Sequence, residues 1–153
     1  MASALKNNIK HLAITEHYPL PDGADPTNDS AMTWEDLPAY CADLLTARAN
    51  FPQLSLVFGT ELDYLGAHDT RDLTQDALAF FDYRLLSVHF IDAWPFDNVS
   101  EQKAWEERGI DALWLRYKEL WVEAACSAIP AQTMAHPDLI KKFAYYPRFD
   151  MQT

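Results

Sequence analysis

The stretch LSLVFGTELDY, residues 54–64, sets the architecture of this chain. It opens as an unbroken apolar run and ends on two acids, Glu61 and Asp63, spaced two residues apart. A continuous apolar run of this length reads as a strand buried on both faces, as in parallel sheets. Residues two apart in an extended chain share a face, so Glu61 and Asp63 point the same way if the strand continues through them. The same design recurs on either side: HLAITEH (11–17) ends in His17, YRLLSVHF (83–90) carries His89, and QTMAHPD (132–138) carries His136. Chemistry in β/α folds gathers where parallel strands end. Three imidazoles and a carboxylate at four successive strand ends are therefore expected to converge on one point.

Between these runs the chain reads as loops and helices. Residues 18–30 (YPLPDGADPTNDS) are too rich in Pro, Gly and Asp for regular structure. Thr33, with Asp36 three residues on, forms a loose capping box for a helix carrying Leu37, Tyr40, Cys41, Leu44 and Leu45 and ending before Pro52. Residues 69–81 read as a short helix with Leu73, Ala77, Leu78 and Phe81 on one face, and 84–90 as a strand. The aromatic loop IDAWPFDNVS (91–100) leads to a long amphipathic helix over 101–128, its core face marked by Trp105, Leu113, Tyr117, Leu120, Trp121 and Ala124. A strand at 132–135 and a helix start at 138–143 complete the series. This alternation predicts one α/β domain without repeats, with about four mainly parallel strands, flanking helices and right-handed crossovers.

Composition narrows the partners. The 153 residues suffice for one domain with a real core. Twelve basic against 23 acidic residues give a net charge of −11, which argues against nucleic acid or an anionic membrane surface. No apolar stretch approaches the roughly 20 residues that cross a bilayer, and MASALKNNIK lacks the pattern of a secretory signal. Cys41 and Cys126 have no paired spacing, so they read as two buried thiols in a reducing cytoplasm.

At the four strand ends the wording itself is recognisable. TEHYPLP (15–21), GTELDY (59–64), SVHFIDAWPFDN (87–98) and AHPDLIKKF (135–143) resemble, in that order and spacing, the polymerase-and-histidinol-phosphatase (PHP) superfamily. Within it they most resemble the monofunctional histidinol-phosphate phosphatases of histidine biosynthesis, which convert L-histidinol phosphate to L-histidinol and phosphate. The resemblance spans about residues 9–143. It implies a distorted (β/α)7, TIM-like barrel with up to three divalent metal ions at the C-terminal strand ends, and His17, Glu61, His89 and His136 as ligands. By the family pattern Glu61 bridges two metals, His89 and His136 complete one of them, and His17 belongs to a neighbour. Imidazole and carboxylate suit Zn, Mn or Fe, and a metal with an open position lowers the pKa of bound water to about 7. No side chain is assigned as catalytic. A phosphate dianion approaching a chain of charge −11 needs the local positive charge that metal ions supply.

Departures from the family shape the expectation. The family's HxH strand and a further His lie upstream of TEH, and its Asp-x-His strand lies downstream of HPDLIKKF; neither has a counterpart here. Residues 1–153 are thus expected to be the central portion of a single PHP domain, a partial barrel with two open sheet edges through which self-association is conceivable. Such a portion is expected to hydrolyse its substrate poorly unless restored to full length. Glu16 stands where the family has Asp, and Ala135 where it has Gly; both are mild. Another small phosphate ester as substrate, and a non-catalytic remnant, stay open as readings.

Secondary candidates each have a plainer alternative. Asp63 shares the face of Glu61 or bonds a neighbouring loop. Asp92, Trp94, Phe96 and Asp97 shape a substrate pocket or pack as a self-contained aromatic loop. Lys141, with Lys142 beside it, binds phosphate or is simply solvated. His11 and His68 are expected to be exposed, and the Trp-rich helix to be core.

Overall fold

The computed structural model describes residues 1–66 and 69–150; His68 lies outside them. A short helix α1 (Ala2–Lys6) precedes β1 (His11–His17), α2 (Leu37–Asn50) and β2 (Ser55–Asp63). Next come β3 (Tyr83–Ser87), the small strands β4 (Phe90–Ile91) and β5 (Trp94–Pro95), helices α3 (Ala104–Arg108) and α4 (Ile110–Ala125), and β6 (Thr133–Met134). The main sheet has the order β1-β2-β3-β6 and is parallel throughout. It is open, with β1 and β6 at its edges, and among the described residues it does not close into a barrel.

Alternation along the strands divides the sheet into two faces. Even-numbered Leu56, Phe58 and Leu62 of β2 and Leu86 of β3, with Val88 beyond it, are buried beneath the helices. Leu44 of α2 packs on Leu56 and Phe58. Leu62, Leu86 and Val88 join Leu113, Tyr117, Leu120 and Ala124 of α4 and the fully buried Trp105 of α3 in the larger cluster. Odd-numbered residues form the other face, where Ala13 is exposed and Val57 and Leu85 are half-buried. Glu61, Asp63 and Ser87 lie on this face, and the register pairs His17 with Glu61 and Asp63 with Ser87.

Several elements differ from the sequence expectation, each for an identifiable reason. Residues 69–81 form turns instead of a helix: Asp69 and Asp72 accept the backbone N–H groups of Arg71 and Thr74, a local competition that diverts the chain from helical bonding. Leu73, Leu78 and Phe81 still reach the core, whereas Ala77 is exposed. The strand expected over 84–90 stops at Ser87; Phe90 and Ile91 turn back as an antiparallel hairpin on Trp94 and Pro95. The two turn residues, Asp92 (φ 48°) and Ala93 (φ 66°), adopt the left-handed conformation that tight hairpins demand. The helix expected over 101–128 is cut by Gly109 (φ 85°), which separates α3 from α4. Residues 138–143 hold only a 3-10 turn, Leu139–Lys141.

Thr33 and Asp36 exchange the reciprocal bonds, Asp36 N donating to Thr33 Oγ1 at 3.1 Å and Thr33 N to Asp36 Oδ2 at 3.4 Å, but they close a turn ahead of α2, whose N-cap is Asp36 and not Thr33. Leu45 faces solvent, unlike Leu44. Cys126 is exposed and Cys41 half-buried, both as free thiols, so neither is the fully buried residue expected. His11 is exposed, as anticipated. No helix among the described residues is long and apolar enough to cross a membrane.

Gly59 allows β1 and β2 to approach. It lies opposite Thr15, and a Cβ there would meet Thr15 Cγ2 at 2.6 Å and the Ile14 carbonyl at 2.8 Å. Tyr40 of α2 donates its hydroxyl to the carbonyls of Ile14 (3.2 Å) and Gly59 (3.0 Å) at the same point. Backbone cannot yield as a flexible side chain does, so Gly59→Ala is expected to destabilise the chain by about 1–3 kcal/mol, the usual penalty of overpacking. Urea unfolding checks this; an unchanged midpoint would contradict it.

Candidate metal centre

Each strand delivers its polar residue to the same end of the sheet. His17 closes β1, and the next residue continues the pairing by donating Tyr18 N to the Glu61 carbonyl at 2.8 Å. Asp63 closes β2, and Tyr64 N donates to the Ser87 carbonyl at 2.8 Å. His89 lies two residues beyond Ser87. His136 follows β6, where Ala135 N donates to the Leu86 carbonyl at 2.9 Å. The His136 backbone is left-handed (φ 27°), an unusual conformation for a residue with a Cβ. Tyr117 of α4 secures it, its hydroxyl donating to the carbonyls of His136 (3.4 Å) and Pro137 (3.2 Å).

The side chains sort into two layers. Asp63, only 1% exposed, meets His17 Nδ1 with Oδ2 at 3.1 Å and His89 Nδ1 with Oδ1 at 2.6 Å. Above it, Glu61 Oε1 meets His136 Nε2 at 2.9 Å, His89 Nε2 at 3.7 Å and His17 Nε2 at 3.9 Å. Ser87 donates its hydroxyl to the same Glu61 oxygen. The imidazoles sit side by side, with ring centroids 4.9 Å apart for His17 and His89 and 4.8 Å for His89 and His136.

Charge follows from this layering. Burial would raise the pKa of Glu61, but hydrogen bonds from His136 and Ser87 and the fields of His17 and His89 bring it below 4.5. Burial acts likewise on Asp63, yet its bonds to the two rings hold it below 3.8. Burial would lower His17, but Asp63, Glu61 and Asp97 raise it above 6.5. The Glu61 hydrogen bond raises His136 against the opposing effect of burial.

Other sequence candidates lie elsewhere. Asp92 pairs with Arg116 of α4 at 3.0 Å on the outer surface. Trp94 is buried, donating Nε1 to Glu101 Oε2 at 2.7 Å. Lys141 is exposed and does not line the cavity beside the histidines. That cavity, of about 380 Å³, is lined by His17, Asp63 and His89 together with Asp29, Asp97 and Lys142. Lys142 Nζ pairs with Asp97 Oδ2 at 3.2 Å at its rim. Asn98 Nδ2 donates to Asp29 Oδ1 at 3.1 Å, joining the 18–30 loop to the post-hairpin turn.

Two contributors escaped the sequence reading. Ser87 could have been found from its position two residues before His89 on one face. Arg71 gave no such signal. Its 1%-exposed side chain pairs with Asp69 at 2.7 Å and donates to the carbonyls of Pro19 and Asp63, binding the end of β2 to the loop after β1.

The donor set fits a divalent ion. Two overlapping groups, His17–Asp63–His89 and Glu61–His89–His136, each offer ligand atoms within 4.8 Å of one another. Ligand bonds of about 2.0–2.2 Å place tetrahedral donors roughly 3–4 Å apart, a span that the 2.9, 3.7 and 3.9 Å separations around Glu61 Oε1 nearly cover.

No protein-family model matches the chain. Over 146 residues it is 32% identical to a Deinococcus radiodurans protein named "Probable histidinol-phosphatase", covering 94% of this chain and 54% of that protein. The chain thus spans about half the length of the curated relative it matches.

Proton linkage makes the cluster testable without any ligand. The depressed pKa values of Glu61 and Asp63 contribute stability present above their ordinary values of 4.5 and 3.8 and lost as pH falls through the depressed ones. The raised pKa values of His17 and His136 contribute stability present below 6.5 and lost as pH rises through the raised ones. Chelator-treated protein should therefore resist urea best between about pH 4.5 and 6.5 as far as this cluster is concerned. Glu61→Gln should flatten the alkaline side of that profile. The two groups share His89, so dialysis against Zn²⁺ should leave about one tightly held ion per chain. Two would mean that the second ion is held without His89, since a neutral imidazole ligates through one nitrogen only.

Proposed function

We propose that the chain carries the metal-binding portion of a phosphoric monoester hydrolase of the PHP type, acting on L-histidinol phosphate to give L-histidinol and phosphate. The observation that carries this reading is the convergence of three imidazole Nε2 atoms on one Glu61 oxygen. The relative's name supports the phosphatase assignment.

In this reading Glu61, His89 and His136 would hold a divalent ion (Zn, Mn or Fe), with His17 toward a neighbouring one, and bound metal would supply Lewis-acid polarisation of the phosphoryl oxygens and activation of water. Everything else is done by the chain. Ser87 fixes the Glu61 carboxylate that the histidines surround. Lys142 carries a positive charge to the cavity rim, and an arriving phosphate competes with Asp97 for it. Asp29 and Asp97 on the cavity wall suit the ammonium group of an amino-alcohol phosphate, which favours histidinol phosphate over a sugar phosphate that has no ammonium group. A cavity of about 380 Å³ is of the size that holds a small metabolite.

The test places the aligned residues of this chain in the corresponding stretch of the Deinococcus relative and measures phosphate release. Metal-dependent hydrolysis of L-histidinol phosphate is expected. His89→Ala should lower kcat/KM by about 10³-fold or more, the scale set by losing a main electrostatic stabiliser, with the fold unchanged by circular dichroism. Rates indifferent to chelation, or a His89→Ala chimera as fast as its parent, would overturn the reading.

A further inference from the structure

Two overlapping donor groups compete for His89: one draws on its Nδ1 side with Asp63, the other on its Nε2 side with Glu61 and His136. A neutral imidazole has one lone pair, so it ligates through one nitrogen only and keeps its proton on the other. The hydrogen bonds decide which. Asp63 is 1% exposed, and its two oxygens are taken one each by His17 Nδ1 at 3.1 Å and His89 Nδ1 at 2.6 Å. An ionised carboxylate only accepts, so both rings must donate from Nδ1. Their lone pairs are then left on Nε2, and both Nε2 atoms face Glu61 Oε1, at 3.9 and 3.7 Å.

We infer that Asp63 is a positioning residue, not a ligand: its single carboxylate fixes His17 and His89 together as Nδ1–H tautomers and turns both Nε2 lone pairs toward Glu61. This inference rests on the metal-centre reading above and refines it, by choosing between the two donor groups. Carboxylates that bind the far nitrogen of a ligating histidine hold its ring in place and raise its basicity, and their loss costs 10–100-fold in metal affinity. Here one carboxylate serves two rings, one from the end of β1 and one from the segment after β3. Its own backbone is fixed in turn by Arg71, which donates to the Asp63 carbonyl.

Long-range ¹H–¹⁵N spectra of the histidine-labelled, chelator-treated chain, recorded above the pH at which the ring ¹⁵N shifts stop changing, report the tautomers of the neutral rings directly. His17 and His89 should both appear as Nδ1–H. Nε2–H or mixed tautomers at both rings in the unaltered protein would overturn the inference. In Asp63→Asn the side chain offers only one accepting oxygen, so at least one ring should leave the Nδ1–H form. Co²⁺ affinity should fall 10–100-fold in that variant, with the visible absorption bands of the bound ion keeping their positions. Bands that shift with the substitution would make Asp63 a ligand and overturn the inference. The two readings fail separately: Nδ1–H rings in a protein that takes up no Co²⁺ would sink the metal centre and leave the role of Asp63 standing. Nε2–H rings in a protein that binds Co²⁺ would do the reverse.

Discussion

A carboxylate shut away from water must be compensated, and at the C-terminal end of this sheet that requirement organises everything around it. Asp63 is essentially inaccessible, and an isolated ionised carboxylate in that position would be strongly destabilising. Its compensation comes from two imidazoles, one at the end of β1 and one just beyond the end of β3. Neither ring could reach it unless β1, β2 and β3 were parallel and in the observed register. The pairing of His17 with Glu61, and of Asp63 with Ser87, is therefore both a backbone fact and an electrostatic one. A slip of one residue in β2 would turn Glu61 and Asp63 to the helix-covered face, toward the cluster that holds Leu86, Val88 and Tyr117, and would carry Leu56, Phe58 and Leu62 out of the core.

Much of this was legible beforehand because period-two patterning survives translation into structure. The apolar runs at 11–17, 54–64 and 83–90 mark the strands, and the polar residue ending each one marks the site; parity within β2 puts Glu61 and Asp63 on one face, and the inter-strand register, which only the structure supplies, sets His17 and Ser87 beside them. What parity could not supply was the division of labour. Glu61 and Asp63 have the same chemistry, two positions apart, and their different tasks depend on depth: one is reached by Nε2 atoms and the other by Nδ1 atoms. Depth is a property of the packed sheet. For the same reason Lys142, and not its neighbour Lys141, lines the cavity; a 3-10 turn at Leu139–Lys141, where a helix was expected to start, fixes which of the pair faces it.

The elements read wrongly share one cause, which is local chemistry overriding a regional pattern. Gly109 ends α3 although the amphipathic spacing runs on through it, and Asp69 and Asp72 capture amide groups that a helix over 69–81 would need. Neither error disturbs the core, because Trp105 packs with the same cluster as Leu113, Tyr117 and Leu120 despite the break. Hydrophobic periodicity predicted the buried face correctly and the backbone path incorrectly. The break has a consequence of its own: it lets α3 place Trp105 beneath the hairpin that follows His89, with Nε1 donating to the Phe96 carbonyl at 2.8 Å.

Core and centre are joined most directly at Tyr117. Its ring belongs to the main apolar cluster, stacked edge-on against Phe96 at 5.3 Å, while its hydroxyl holds the carbonyls of His136 and Pro137. Burial and the fields of Asp138 and Asp97 keep the phenol protonated throughout the ordinary pH range, so it remains a donor whatever the histidines do. The left-handed backbone at His136 is unfavourable by itself, and a strained residue persists only where its surroundings over-determine it. Here the determinants are a phenol anchored in the apolar core and the Ala135 amide paired to β3. The imidazole on the exposed rim of the centre is thus located by the least exposed part of the protein. A metal ion arriving at Glu61 would meet a ligand whose backbone is already in place, and whose freedom is confined to its side-chain torsions.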